Sequence, residues 1–175
     1  ALVVVILLVF LGDIRSSVIV VATLILTPLL TFFVMNQFGI SANLMSLGGL
    51  AVAIGLMVDG SVVVVENAFG HLGRPNKYGK RKVHIILKAV VEVATPVVFG
   101  IGIIILVFLP LMTLKGMEGK MFAPLAFTIA IALAISLLLS LTLTPVLSSY
   151  LLKGGAEHDT RLVGYLKKHY LRMLD

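Results

Sequence analysis

Apolar residues run through this chain in long blocks, and polar residues are confined to the gaps between them. Blocks at about 18–35, 44–68, 85–112 and 122–152 match the roughly 20 residues of helix needed to cross a hydrocarbon core. A fifth, at about 1–11, starts inside an apolar run, Ala1-Leu2-Val3-Val4-Val5, with no Met and no basic leader. The chain is therefore expected to be a piece of something larger. Short polar turns at Gly12-Asp13-Ile14-Arg15-Ser16-Ser17 and Asn36-Gln37-Phe38-Gly39-Ile40-Ser41 imply antiparallel neighbours. Gly70 to Lys82, with Gly70, Gly73, Pro75, Asn76 and Gly79 among its cations, is expected to be an exposed loop. After Lys153-Gly154-Gly155, Leu162, Tyr165, Leu166, His169, Tyr170 and Met173 recur at helical spacing with Arg161, Lys168 and Arg172 off that face. That pattern predicts an amphipathic helix on the membrane surface over 154–175. The fold class expected is all-α: a polytopic transmembrane helix bundle over residues 1–153, followed by the start of a cytoplasmic amphipathic helix.

Composition agrees with the pattern. Of 175 residues, 59% are hydrophobic and 13% charged, against about a quarter charged in an average soluble domain. The net charge of +6 would suggest nucleic acid in a soluble protein, but its distribution argues otherwise. If five spans alternate, the connections near 12–17, 69–84 and 153–175, with Lys88 in the first turn beyond, take 12 of the 14 cations. The positive-inside rule places those loops in the cytoplasm and the turns near 36–43 and 113–121 outside. The charge reports orientation, and no nucleic-acid partner is expected. There is no cysteine, hence no disulfide and no thiolate metal site.

Against this apolar background, Asp59 and Glu66 stand out in GLMVDGSVVVVEN, residues 55–67. A carboxylate near the bilayer centre costs at least about 2.5–3.5 kcal/mol on insertion scales, so it finds a cation or takes up a proton. Gly48, Ala51, Gly55, Asp59, Val62 and Glu66 succeed one another at steps of three and four and share a helix face. Small residues let a second helix approach closely in lipid, which predicts that Asp59 lies at a helix–helix seam. Gly60 removes a side chain beside it. No Lys or Arg stands at a matching depth in another span, so the cation comes from elsewhere or the acid is protonated in one state. Glu66 lies two turns nearer the cytoplasm, where it either takes part in proton exit or pairs with Arg74 or Lys77. Glu92 and Lys88 have the spacing of a helical salt bridge.

Other chemistry is sparse. Thr27-Pro28, Thr95-Pro96 and Thr144-Pro145 lie in helix interiors, where proline kinks the helix and the threonine hydroxyl can satisfy a freed carbonyl. Such kinks serve packing or a hinge. The four histidines, His71, His84, His158 and His169, lack metal spacing, and His71 and His84 are expected among basic loop residues. No phosphate loop or nucleophile constellation is present, so neither an enzyme nor a cofactor is expected. Met45 and Met57 on the acid-bearing helix are the soft-ligand candidates, with Met117 and Met121 flanking the external turn.

The stretch Gly48-Gly49-Leu50-Ala51-Val52-Ala53-Ile54-Gly55-Leu56-Met57-Val58-Asp59-Gly60, followed by Val65-Glu66-Asn67, resembles the fourth transmembrane helix of resistance-nodulation-division (RND) efflux pumps. Phe108-Leu109-Pro110-Leu111, Glu118-Gly119-Lys120, Phe122-Ala123-Pro124-Leu125-Ala126-Phe127-Thr128 and Leu143-Thr144-Pro145 resemble helices five and six of their heavy-metal efflux branch. The likeness covers nearly the whole chain, from the end of helix two through helix six. It implies a proton-driven antiporter of the bacterial inner membrane, a homotrimer working with a periplasmic adaptor and an outer-membrane channel. Asp59 matches the relay aspartate of the family and Glu66 its acidic companion, with the relay lysine supplied by helices of the second half.

Gly60 stands where multidrug members carry a second aspartate, which favours the metal branch. Ala53 stands where exporters of divalent zinc, cobalt and nickel carry a further aspartate, while Met45 and Met57 occupy positions like the methionines of copper and silver exporters. A multidrug or lipophile exporter of the same superfamily and a non-transporting membrane scaffold are the alternatives.

Overall fold

The computed structural model describes residues 14–73 and 81–152, apart from the side chain of Asp59. They form four helices: α1 (Ile14–Gln37), α2 (Leu44–Gly73), α3 (Lys82–Met112) and α4 (Gly116–Leu151). No strand occurs among the described residues. Each helix is long and apolar enough to cross a membrane. In lipid every backbone polar group has to be satisfied within its own segment, which is why these apolar blocks are helical throughout. The expected blocks at 1–11 and 154–175 lie outside the described residues.

The helices outrun their apolar blocks. At 1.5 Å per residue, the 36 residues of α4 span about 54 Å, well beyond a hydrocarbon core of about 30 Å. Local chemistry sets the ends. At the start of α2, Ser46 N donates to Asn43 Oδ1 at 2.9 Å while Asn43 N donates to Ser46 Oγ at 2.8 Å, a reciprocal capping box. Gly39, with φ +66, makes the preceding turn, and Ile40 N reaches back to the Met35 carbonyl at 2.9 Å. The expected external turn at 113–121 shrinks to Thr113–Lys115, because Gly116, with φ +78, lets α4 start at once. Met117 and Met121 are consequently helical.

At the other end, residues 70–73, expected in a loop, form the last turn of α2, and Lys82 is already in α3. Two contacts across α2 and α3 hold that extra turn. Asn67 Nδ2 donates to the Ala89 carbonyl at 2.7 Å, and His71 Nε2 meets Glu92 Oε2 at 3.0 Å. Glu92 thus pairs with His71 rather than with Lys88, and His71 is helical rather than a loop residue. Lys82 Nζ donates to the Ser149 carbonyl, tying the start of α3 to the end of α4.

The bundle is antiparallel, with α4 central: it packs against all three other helices, most extensively α2, while α1 and α3 barely meet. Its core has two apolar layers. One, at the end carrying Arg15, Lys82 and Lys88, joins Ile19, Val20, Val64, Val65, Ala68, Ile86, Ala89, Val90 and Leu152. The other joins Leu50, Ala53, Met57, Ile101, Ile129, Ala132 and Leu133. Between them lies a waist of small and hydroxylic residues, Gly60 and Ser61 on α2 with Ser136 and Ser140 on α4, all buried.

Hydroxyls share the buried faces with apolar residues, while many large apolar residues face outward. On α1 the buried residues are Ser16, Ser17, Ile19, Val20, Thr23, Thr27, Thr31 and Met35, while Ile25, Leu29 and Phe33 are exposed. On α4 a row at steps of four, Thr128, Ala132, Ser136, Ser140, Thr144 and Ser148, is buried throughout, beside Ile129 and Leu133. Such faces let helices approach closely in lipid, where close packing takes over from the hydrophobic effect as the force between them. Threonine hydroxyls among them bond their own helices: Thr27 Oγ1 to the Thr23 carbonyl at 2.7 Å and Thr144 Oγ1 to that of Leu139 at 3.4 Å. Neither is the carbonyl, Leu24 or Leu141, whose usual donor the following proline removes, so the threonines do not repair the kinks as expected.

Candidate functional site: the open face of the second helix

Asp59 lies at the middle of α2, fifteen residues after Leu44 and fourteen before Gly73, about 22 Å from either end. Its backbone is helical; its side chain lies outside the described positions. The residues around it define two faces. Gly49, Leu50, Ala53, Met57, Gly60, Ser61, Val64, Val65 and Ala68 are buried against the rest of the bundle. Gly48, Ala51, Gly55 and Glu66, members of the stripe expected to form a seam, are exposed. The stripe on which Asp59 falls is thus not used as a seam within the described segment.

Gly55 and Gly60 differ accordingly. Nothing lies within 4 Å of a Cβ built on Gly55, whereas one on Gly60 would meet Ile101 Cδ1 at 3.5 Å, Val97 Cγ1 at 3.6 Å and Ser140 Oγ at 4.0 Å. Gly60 therefore sits where α2, α3 and α4 converge. Ser140 Oγ is fully buried there without a hydrogen-bond partner.

Two open grooves, shallow cavities at the surface, follow the edge between α2 and α3 and share Val63, one turn from Asp59. One, of about 210 Å³, is apolar and lined by Leu56, Gly60, Val63, Val97, Gly100, Ile101 and Ile104. The other, of about 330 Å³, is lined by Val63, Glu66, Asn67, Gly70 and Val93 and continues toward the basic end. Glu66 is exposed at its rim. Arg74 and Lys77, the cations expected beside Glu66, lie outside the described residues. Every Lys and Arg among the described residues stands at or near a helix end, so none is level with Asp59.

Met45 and Met57 are not brought together. They are twelve residues apart, about 18 Å along the helix, and Met57, 2% exposed, is enclosed in the second apolar layer. The nearest polar company of a methionine is elsewhere: Thr128 Oγ1 lies 3.6 Å from Met35 Sδ. No group of three or more His, Asp or Glu that could hold a metal occurs among the described residues.

The family model described as the AcrB/AcrD/AcrF family matches residues 1–175. The chain belongs to the AcrB/AcrD/AcrF family. This meets the expectation of RND membership drawn from the helix-four and helix-five motifs. The chain is 43% identical over 180 residues to Protein HelA of Legionella pneumophila, with 99% of the chain covered. It is 41% identical over 182 residues to the cobalt-zinc-cadmium resistance protein CzcA of Cupriavidus metallidurans, again with 99% covered. With the cation efflux system protein CusA of Escherichia coli K12 it shares 38% over 152 residues, 83% of the chain. A crystal structure of a heavy metal efflux pump superposes with a TM-score of 0.68 at 40% identity, over 82% of this chain and 14% of that one. The chain spans only 17% of the length of HelA and of CzcA.

Sequence reasoning missed three features of this family member: the His71–Glu92 contact, the Asn67–Ala89 bond and the α4 hydroxyl row. The row had a signal, since Ser and Thr recur at steps of four from Thr128 to Ser148. The two contacts had none, because they join residues about twenty positions apart on two different helices.

Proposed function

We propose that this segment belongs to the membrane domain of a proton-driven antiporter that exports metal ions, with Asp59 carrying the coupling proton. The observation that supports it best is the open stripe of α2. An acid at mid-span, on a face of small residues that the segment leaves uncovered, suits a seam completed by helices elsewhere in the same pump. Those helices would bring the cation that no described residue supplies at that depth. Loss or gain of a proton at Asp59 changes the net charge of a desolvated seam, which is the differential interaction a two-state transporter needs.

The metal reading rests on the relatives, among them proteins named for cobalt, zinc and cadmium resistance and for cation efflux. In this reading the segment works in the bacterial inner membrane with its basic loops in the cytoplasm. It acts within a homotrimer joined to periplasmic porter domains, an adaptor and an outer-membrane channel. Glu66, at the rim of the larger cavity, serves proton exit. Gly55 leaves room for the seam partner, and Gly60 lets α3 and α4 close on the relay helix.

The test is Asp59→Asn in the full-length pump, reconstituted in vesicles with an imposed pH gradient. Metal export and proton flux should both disappear while the trimer still assembles; export at the parental rate by the variant would refute the assignment.

A further inference from the structure

The larger cavity on the α2–α3 edge begins at Val63, one turn from Asp59, and is bounded at the basic end by Gly70 on α2 and Val93 on α3. The next residue along α2 is His71, and the one before Val93 on α3 is Glu92. These two, each the sequence neighbour of a lining residue, are in contact just beyond the groove, His71 Nε2 to Glu92 Oε2 at 3.0 Å. Asp59, Val63, Asn67 and His71 follow one another at steps of four, so they run down a single strip of the helix toward the cytoplasm. The two members of the pair differ in access: the side chain of His71 is 13% exposed and that of Glu92 59%. The less exposed group is an imidazole, which can bind or lose a proton; the more exposed one is a carboxylate.

We propose that the His71–Glu92 pair is the cytoplasmic proton-transfer site of the pump, receiving protons that leave Asp59 through the cavity and passing them to cytoplasmic water. This rests on the relay reading of Asp59. The depression is an open groove of about 330 Å³, and Glu66 and Asn67 in its wall offer polar partners to water entering it. A proton arriving from the cavity binds the pair, raising its net charge by one. Its release from the exposed side to solvent lowers the charge by one and resets the pair. The Asn67–Ala89 bond holds α2 against α3 one turn above, which keeps donor and acceptor in register.

Other titratable groups at this end of the described bundle are Arg15 on α1, Glu66 on α2, Lys82, His84 and Lys88 on α3 with Arg81 at its cap, and Tyr150 on α4. Of these, Lys82 is engaged by the Ser149 carbonyl, and only Glu66 lines the cavity.

The test uses the full-length pump in vesicles loaded with a pH-reporting dye, driven with zinc(II) and, separately, with copper(I). His71→Gln should lower proton flux by about a hundredfold at neutral cytoplasmic-side pH, the lower end of what a positioned proton-transfer group contributes. Added imidazole buffer should restore it. Glu92→Gln should alter the dependence on cytoplasmic-side pH and leave that on the opposite side unchanged, and Glu92→Asp should behave like the parent. Should His71→Gln fail to assemble as a trimer, the Glu92 variants decide. Parental flux and pH profile in both His71→Gln and Glu92→Gln would overturn the proposal. So would a loss of flux that imidazole does not restore and that leaves the pH profile unshifted, since that marks a structural contact. Asp59→Asn in the same vesicles separates the two claims. If it still carries protons, the relay reading fails; if it is silent while the His71 and Glu92 variants match the parent, only this inference fails.

Discussion

Gly49 on α2 lies directly under Leu125 on α4: a Cβ at Gly49 would stand 2.7 Å from the Leu125 carbonyl oxygen and 3.3 Å from its Cα. The obstacle is backbone, which cannot swing aside as a side chain can. Gly49→Ala should therefore push α2 and α4 apart, at a cost of about 1–3 kcal/mol, the usual range for overpacking. Gly60→Ala meets only ordinary van der Waals contacts and should cost less than about 1 kcal/mol. Thermal unfolding of the two variants in the same detergent checks the difference; equal midpoints would contradict the packing described.

The open side of α2 makes the opposite prediction. A methyl group added at Gly55 would have no atom within 4 Å, so Gly55→Leu should leave the isolated segment at least as stable, gaining up to about 1 kcal/mol from helix propensity. In the full-length pump the same substitution should abolish export, because the leucine would occupy the seam that the proposed partner helix needs. Parallel stability and transport measurements on the one variant separate the two contexts.

Met57 yields a third prediction. It is buried in the apolar layer that also holds Leu50, Ala53, Ile101, Ile129, Ala132 and Leu133. Met57→Leu, close to volume-conserving, should cost under about 1.5 kcal/mol. Met57→Ala opens a cavity and should cost about 2–5 kcal/mol. If the sulfur served as a metal ligand along the path, Met57→Leu would abolish metal resistance without destabilising the protein. With the side chain in the apolar layer, resistance in cells expressing the intact pump should persist.

The fold was legible in the sequence because crossing lipid demands a length of apolar residues, and four such lengths stand apart in the chain. Helix ends were harder to read. His71 and Gly73 look like loop residues by composition, yet Asn67 and His71 find partners on α3 that extend α2 past them. Which face of α2 packs was harder still. Gly48, Ala51 and Gly55 were as good a contact stripe as Gly49, Ala53 and Gly60, and hydropathy does not separate two faces that are both apolar. For the site, Asp59 announced itself by the cost of a carboxylate at mid-span. The His71–Glu92 pair of the proposed exit did not, since Glu92 had a plausible partner four residues away in Lys88 and was instead claimed by His71.

The hydroxyl row from Thr128 to Ser148 runs along α4 beside Ile129 and Leu133, which share the second apolar layer with Leu50 and Met57 of α2. Interlocked side chains of that size resist translation of one helix along another, because each must climb out of its hole. The small residues let α2 and α4 come close, and the bulky ones beside them fix their register, so the pair is built to move as one body. Paired Ala53→Cys and Ala132→Cys substitutions in the full-length pump would report it: crosslinks with short and long reagents should form at the same rates with and without a pH gradient, whereas a sliding contact would give different rates.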